Sequence, residues 1–143
     1  MLANEQEQDF FIAMIDIDEF KHINDCYGHL YGDRVLHCFG ECMCGLGKTC
    51  YPYRFGGGEF CVLFMESHAE SVRQLLQRLQ KDFSRMMCKI NDNSSITFSA
   101  GFAKRGSDQS MMEIIHFADV ALYESKKRSR SSITLYEGRA ESF

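Results

Sequence analysis

Arg54-Phe55-Gly56-Gly57-Gly58-Glu59-Phe60 is the stretch on which the reading of this chain turns. Three consecutive glycines stand between two runs rich in apolar residues, Tyr51 to Phe55 and Phe60 to Met65. Each run has the length and aromatic content of a strand, and a glycine tip between two such runs predicts a hairpin. A hairpin in mid-chain argues against a strictly alternating doubly wound sheet and for an α/β (α+β) sandwich. Glycines at such a tip let backbone N–H groups approach a ligand closely. A plain tight turn that needs positive φ explains them equally well.

Toward the N-terminus, Phe10-Phe11-Ile12-Ala13-Met14-Ile15 is a continuous apolar run that suits a strand buried on both faces. It ends in Asp16-Ile17-Asp18. A turn and a short helix are expected through Asn24, and Gly32-Asp33 is expected to open a second helix. On that helix Val35, Phe39, Cys42, Met43 and Leu46 recur at helical spacing until Gly45 and Gly47 stop it. Toward the C-terminus, Val72, Leu75, Leu76, Leu79 and Phe83 mark an amphipathic helix over about His68 to Met87. Ile96, Phe98, Ala100 and Phe102 alternate as a half-buried strand. Met111, Ile114, Ile115, Ala118, Ala121 and Leu122 mark a last helix, and Ile133 to Tyr136 a closing strand.

With 143 residues the chain is expected to be one domain with a core of its own. A net charge of −4 gives no basic field for nucleic acid, so any nucleotide phosphate must meet locally concentrated positive charge. Met1 to Asp9 is polar and acidic rather than a secretion leader, and no apolar run is long enough to cross a bilayer. Seven cysteines, an odd number, then read as reduced thiols in the cytoplasm. Cys38 and Cys42 lie one helical turn apart, but their spacing with Cys44 and Cys50 matches no zinc ribbon or finger, and they read as small apolar residues.

Asp16 and Asp18, two apart on a strand, point to one face. Hard oxygens placed together at a strand end suit Mg²⁺ shared with substrate phosphates. The competing reading is a pair of loop carboxylates, one of which caps the next helix.

Four ordered motifs resemble the GGDEF domain family. Asp16-Ile-Asp18-Glu-Phe20-Lys21-His-Ile-Asn24-Asp25-Cys-Tyr27-Gly28-His29-Leu-Tyr-Gly32-Asp33 is similar to the first half of its signature, and Arg54 to Phe60 falls the right distance downstream. Thr97-Phe-Ser99-Ala-Gly101 is similar to its fourth-strand motif, and Ala118 to Arg130 resembles its last helix. The match covers about residues 10 to 136. The resemblance implies a cyclase palm with a central, mainly antiparallel sheet flanked by helices. It implies GTP and Mg²⁺, and two domains face to face whose 3′-hydroxyls each attack the other's α-phosphate, giving cyclic di-GMP. It places the metal on Asp16 and the backbone carbonyl of Ile17, and phosphate at Phe20 and Lys21 on a helix start. Asn24 and Asp33 would read guanine, Gly56 and Gly57 would cradle the nucleotide, and Lys126 and Arg130 would reach phosphate. Partners implied are a homodimer through the nucleotide face and an attached or separate sensor or phosphodiesterase domain of a bacterial signalling protein.

The chain also departs from the family. Active members carry Asp or Glu at the third loop position; here it is Gly58, and the catalytic acid is lost. Removing such a group costs on the order of 10²-fold or more in rate. Glu59 is the neighbouring acid that could step in. Gly47 and Cys50 stand where the family's inhibitory Arg-x-x-Asp falls, so product feedback there is expected to be absent, and Ser129-Arg130-Ser131 replaces Gly-Arg-Asn. The family's leading Asp-x-Leu-Thr-Gly-Leu-x-Asn-Arg segment leaves no trace in Met1 to Asp9, as expected for part of a larger protein. The expected function is a degenerate, GTP-binding regulatory or interaction module. The alternatives are an active diguanylate cyclase and a structural module that binds no nucleotide.

Overall fold

Strand β1, Phe11–Ile17, is the middle of one five-stranded sheet, and its side chains alternate between two cores. A computed structural model describes residues 8–90 and 95–138 of the chain. After β1 come helices α1, Phe20–Tyr27, and α2, His29–Cys44. Strands β2, Cys50–Gly56, and β3, Glu59–Phe64, form the expected hairpin. Helix α3, Ala69–Ile90, strand β4, Phe98–Lys104, helix α4, Met111–Arg128, and strand β5, Ile133–Leu135, complete the order. The sheet runs β2-β3-β1-β4-β5, antiparallel throughout except for the parallel pair β4–β5. This is the mainly antiparallel sheet with flanking helices that the family resemblance implies.

One face of β1, with Phe11, Ala13, Ile15 and Ile17, packs under α2 and α3. There the Phe39 ring meets Phe60, Phe83 and Phe98 at centroid distances of 4.9, 5.0 and 5.2 Å. The other face, with Ile12 and Met14, packs under Ile114, Ala118 and Leu122 of α4. A capping box closes the start of α4: Ser110 Oγ accepts from the Glu113 N–H, and the Glu113 carboxylate accepts from the Ser110 N–H.

Two expectations need correction. The second helix opens at His29, not at Gly32-Asp33. The break lies at Gly28, whose φ of 91° ends α1 and starts α2, so Gly32 sits inside the first turn. Strand β4 is buried on both faces rather than half-buried. Its alternate residues Ser99, Gly101 and Ala103 are small, and a Cβ on Gly101 would fall 2.0 Å from the Leu122 backbone nitrogen, so α4 lies directly on the strand. Of Met1 to Asp9, in which no trace of the family's leading segment was expected, residues 1–7 lie outside the described ones.

Strand β2 is an edge of the sheet. Tyr51, Tyr53 and Phe55 alternate along it and are exposed. Pro52, between the two tyrosines, lies opposite Val62 of β3.

Candidate functional site

The sheet brings the hairpin tip, the end of β1 and the end of α4 to one place. Asp16 occupies the next-to-last position of β1 and pairs across the ladder with Glu59, the first residue of β3. Residues directly opposite in an antiparallel pair project to the same face, so both carboxylates stand on the α4 side. From the end of α4, Lys126 reaches down and places Nζ 2.8 Å from Asp16 Oδ2 and 3.3 Å from Asp18 Oδ1. Burial alone would push the Lys126 ammonium down, but the hydrogen bond and charge of Asp16, and then the charge of Asp18, outweigh it and hold its pKa above the ordinary lysine value.

Asp16 and Asp18 look equivalent in sequence and are not. Asp18 lies beyond the strand and is buried. Its Oδ2 accepts from Thr97 Oγ1 at 2.6 Å and from the Ser131 N–H at 3.1 Å; its Oδ1 accepts from Ser99 Oγ at 2.7 Å and from Lys126. Asp18 therefore ties β1, the segment before β4 and the turn after α4 together. It does not cap α1 with its side chain, and neither does Glu19, the residue at that cap, which has a left-handed φ of 57°. The Glu19 carboxylate instead accepts from Arg130 Nε at 3.0 Å.

The glycine tip is held from both sides. The Ile17 N–H donates to the Gly58 carbonyl at 2.9 Å, and Arg54 donates to the Gly57 carbonyl at 3.0 Å. Gly56 and Gly57 have φ values of 143° and 52°, conformations that favour glycine, and the β2–β3 register shifts between Arg54 and Gly56. Gly58 is buried, and a Cβ there would meet Phe20 Cβ at 2.9 Å and Phe20 Cγ at 3.0 Å. One turn along α1, Asn24 presses against Gly32 so closely that a Cβ on Gly32 would lie 1.9 Å from Asn24 Oδ1. Gly32 is the neighbour of Asp33, which is exposed on α2, and Lys21 is exposed on the first turn of α1. The contacts thus join Gly58 to Phe20 and Ile17, and Lys126 to Asp16 and Asp18. Arg130 is on Glu19, and Asn24 meets Gly32 one turn further along α1; Asp33 follows Gly32 in the chain.

Sequence reasoning missed Thr97, Ser99 and Ser131 as partners of Asp18, and Glu19 as the partner of Arg130. A hydroxyl pair at alternate positions near the start of β4 was the only local signal.

The residues present do not make a Mg²⁺ site of the expected kind. Gly58 offers no carboxylate, its carbonyl is engaged by Ile17, and both Asp18 oxygens are taken by protein groups. Beside the Ile17 carbonyl, only Asp16, already on Lys126, and Glu59 opposite it remain. Among the described residues no group of three or more His, Cys, Asp or Glu is arranged to hold a metal, the cysteines of α2 included. All seven cysteines are free thiols. No described helix is long and apolar enough to cross a membrane.

Comparison with known proteins agrees with this architecture. The family model described as "Diguanylate cyclase, GGDEF domain" matches residues 1–132. The chain is 38% identical over 129 residues to diguanylate cyclase DgcP of Pseudomonas aeruginosa, covering 87% of this chain and 19% of that protein. It is 34% identical over 140 residues to diguanylate cyclase A of Treponema denticola, covering 93% of this chain and 37% of that protein. The chain thus spans well under half the length of these relatives. Among solved structures, the active GGEEF domain of a diguanylate cyclase from Vibrio cholerae superposes with a TM-score of 0.83 at 28% identity, over 95% of this chain and 88% of that one. The GGDEF domain of DgcB from Caulobacter crescentus, in complex with c-di-GMP, gives 0.81 at 28% identity, over 96% and 83%. The chain belongs to the GGDEF domain family.

Proposed function

We propose that this chain is a guanine-nucleotide-binding GGDEF module of cyclic di-GMP signalling that makes little or no cyclic di-GMP. It acts in the cytoplasm as a regulatory or interaction module, passing nucleotide occupancy to an attached or separate sensor or phosphodiesterase domain. The observation that carries the reading is Gly58. The third loop position has no acid, and Phe20 fills the space in which a side chain there would begin. Asn24, expected to read the base, packs on Gly32, the chain neighbour of Asp33, which supports this reading. A carboxylate at Asp33 can accept from guanine N1–H and N2–H together, which adenine cannot match. Lys21, Lys126 and Arg130 supply the local positive charge that phosphates need.

Isothermal titration with GTP and ATP tests this. Binding of GTP at least tenfold tighter than ATP, with no product at high enzyme concentration, is expected. No GTP binding at millimolar concentration would refute it and leave a module with a structural role only.

A second reading, an active diguanylate cyclase, is favoured by one contact: Glu59 stands directly opposite Asp16. In that case cyclic di-GMP forms from GTP, and Glu59→Gln abolishes it while leaving GTP affinity intact.

A further inference from the structure

We infer that the resident cation at Asp16 is the Lys126 ammonium rather than a divalent ion, and that guanine nucleotide therefore binds this chain without Mg²⁺. The inference rests on the nucleotide-binding reading for its second half only.

Asp16 and Asp18 share the end of β1, with Glu59 opposite Asp16 in the ladder, and like charges in such a place need a cation. Lys126 supplies it and touches two of the three carboxylates at once, at 2.8 and 3.3 Å. A divalent ion would have to take Asp16 away from that ammonium. It could recruit neither Asp18, whose oxygens already accept from two hydroxyls and a backbone N–H, nor any side chain at position 58. Mg²⁺ held only by Asp16 and the Ile17 carbonyl would take the rest of its octahedron from water and phosphate. It would first have to displace an ammonium that is satisfied as a point charge by the oxygens already around it. The loop position that lost its acid and the lysine that stands on the remaining one are thus two parts of one rearrangement.

Two measurements on the intact chain decide this. The first is titration of a GTP analogue with a methylene α–β bridge, in EDTA and again in millimolar Mg²⁺. The dissociation constants are expected to agree within about twofold, and Lys126→Met is expected to weaken binding at least tenfold in EDTA. Tenfold tighter binding in Mg²⁺ would overturn the inference. The second is Mn²⁺ titration of the nucleotide-free chain, followed by electron paramagnetic resonance. No bound Mn²⁺ is expected below millimolar concentration. A Mn²⁺ site that disappears in Asp16→Ala or Glu59→Gln would overturn it. Loss of analogue binding in both buffers would sink the proposed function, while the Mn²⁺ titration would still decide which cation belongs at Asp16.

Discussion

Gly58 and Phe20 occupy one space: a Cβ on the glycine would begin 2.9 Å from the Cβ of the phenylalanine. The near atoms are the root of the ring and not its flexible end, so relief requires α1 or the hairpin tip to shift. Restoring an acid by Gly58→Asp is therefore a packing change as well as a chemical one. Gly58→Ala, which adds only the Cβ, is expected to cost about 1–3 kcal/mol in urea denaturation. Phe20→Ala in the same chain is expected to recover part of that loss, giving a non-zero coupling in a double-mutant cycle. Additive effects would mean that the two residues do not compete. Turnover measured on Gly58→Asp should accordingly be read beside its stability.

The two aspartates of the Asp-Ile-Asp run should separate by phenotype. Asp18→Ala leaves two hydroxyls, a backbone N–H and part of Lys126 without their acceptor, and is expected to cost about 3–5 kcal/mol. Asp16, with 27% of its side chain exposed and Lys126 as its partner, should lose no more than about 1 kcal/mol as Asp16→Ala. Thermal denaturation of the two variants side by side checks this, and equal losses would contradict the division of labour.

Gly32→Ala offers the opposite separation. The atom that a new Cβ would strike is Asn24 Oδ1, the far end of a side chain that can rotate away. The fold should survive with a melting temperature within a few degrees of the parent. If Asn24 reads the base as proposed, guanine nucleotide affinity should fall at least tenfold when it is displaced. Unchanged affinity would remove Asn24 from the site.

Alkaline pH should destabilise the protein through buried thiols. Burial pushes the Cys61 thiol up to about 11; burial, and then the charge of Cys38, pushes that of Cys42 up to about 12, both from 9.0. The unfolded chain ionises these groups first, so the stability gained by keeping them neutral is complete below pH 9.0. It is lost as the pH climbs through 11 and 12. Lys126, also raised, adds a loss of the same sign above 10.5. Melting temperatures from pH 8 upward should fall, and Cys61→Ala should flatten the curve between about pH 9 and 11. A flat curve in the parent would show that these thiols titrate alike in both states.

The order of the nine described elements was legible from short apolar and aromatic runs in the strands and recurrence every third or fourth residue in the longer helices. The hairpin was legible from Gly56 to Gly58. The start of α2 was misread because Gly32 resembles a helix boundary, whereas Gly28 makes the break. In hindsight, the Tyr27-Gly28 step was the signal. The half-buried reading of β4 failed because Ser99, Gly101 and Ala103 look like a solvent face in sequence. They are small so that α4 can lie on them. The candidate site was legible as a set of residues and not as a set of contacts. Asp18 meets Thr97, Ser99, Lys126 and Ser131 only after 79 to 113 residues of chain have folded back. No local pattern distinguishes it from Asp16.

The rim of β2 sets how the protein behaves in a concentrated tube. Tyr51, Tyr53 and Phe55 line a strand at the edge of the sheet, beyond which no strand pairs among the described residues. Near pH 5.7, where the net charge vanishes, little repulsion keeps two such rims apart. Pro52 sits between the rings with no N–H to give, so a foreign strand laid along this rim finds its ladder interrupted. A single imino acid thus stands between an aromatic border and fibrous growth, and Pro52→Val would take that guard away.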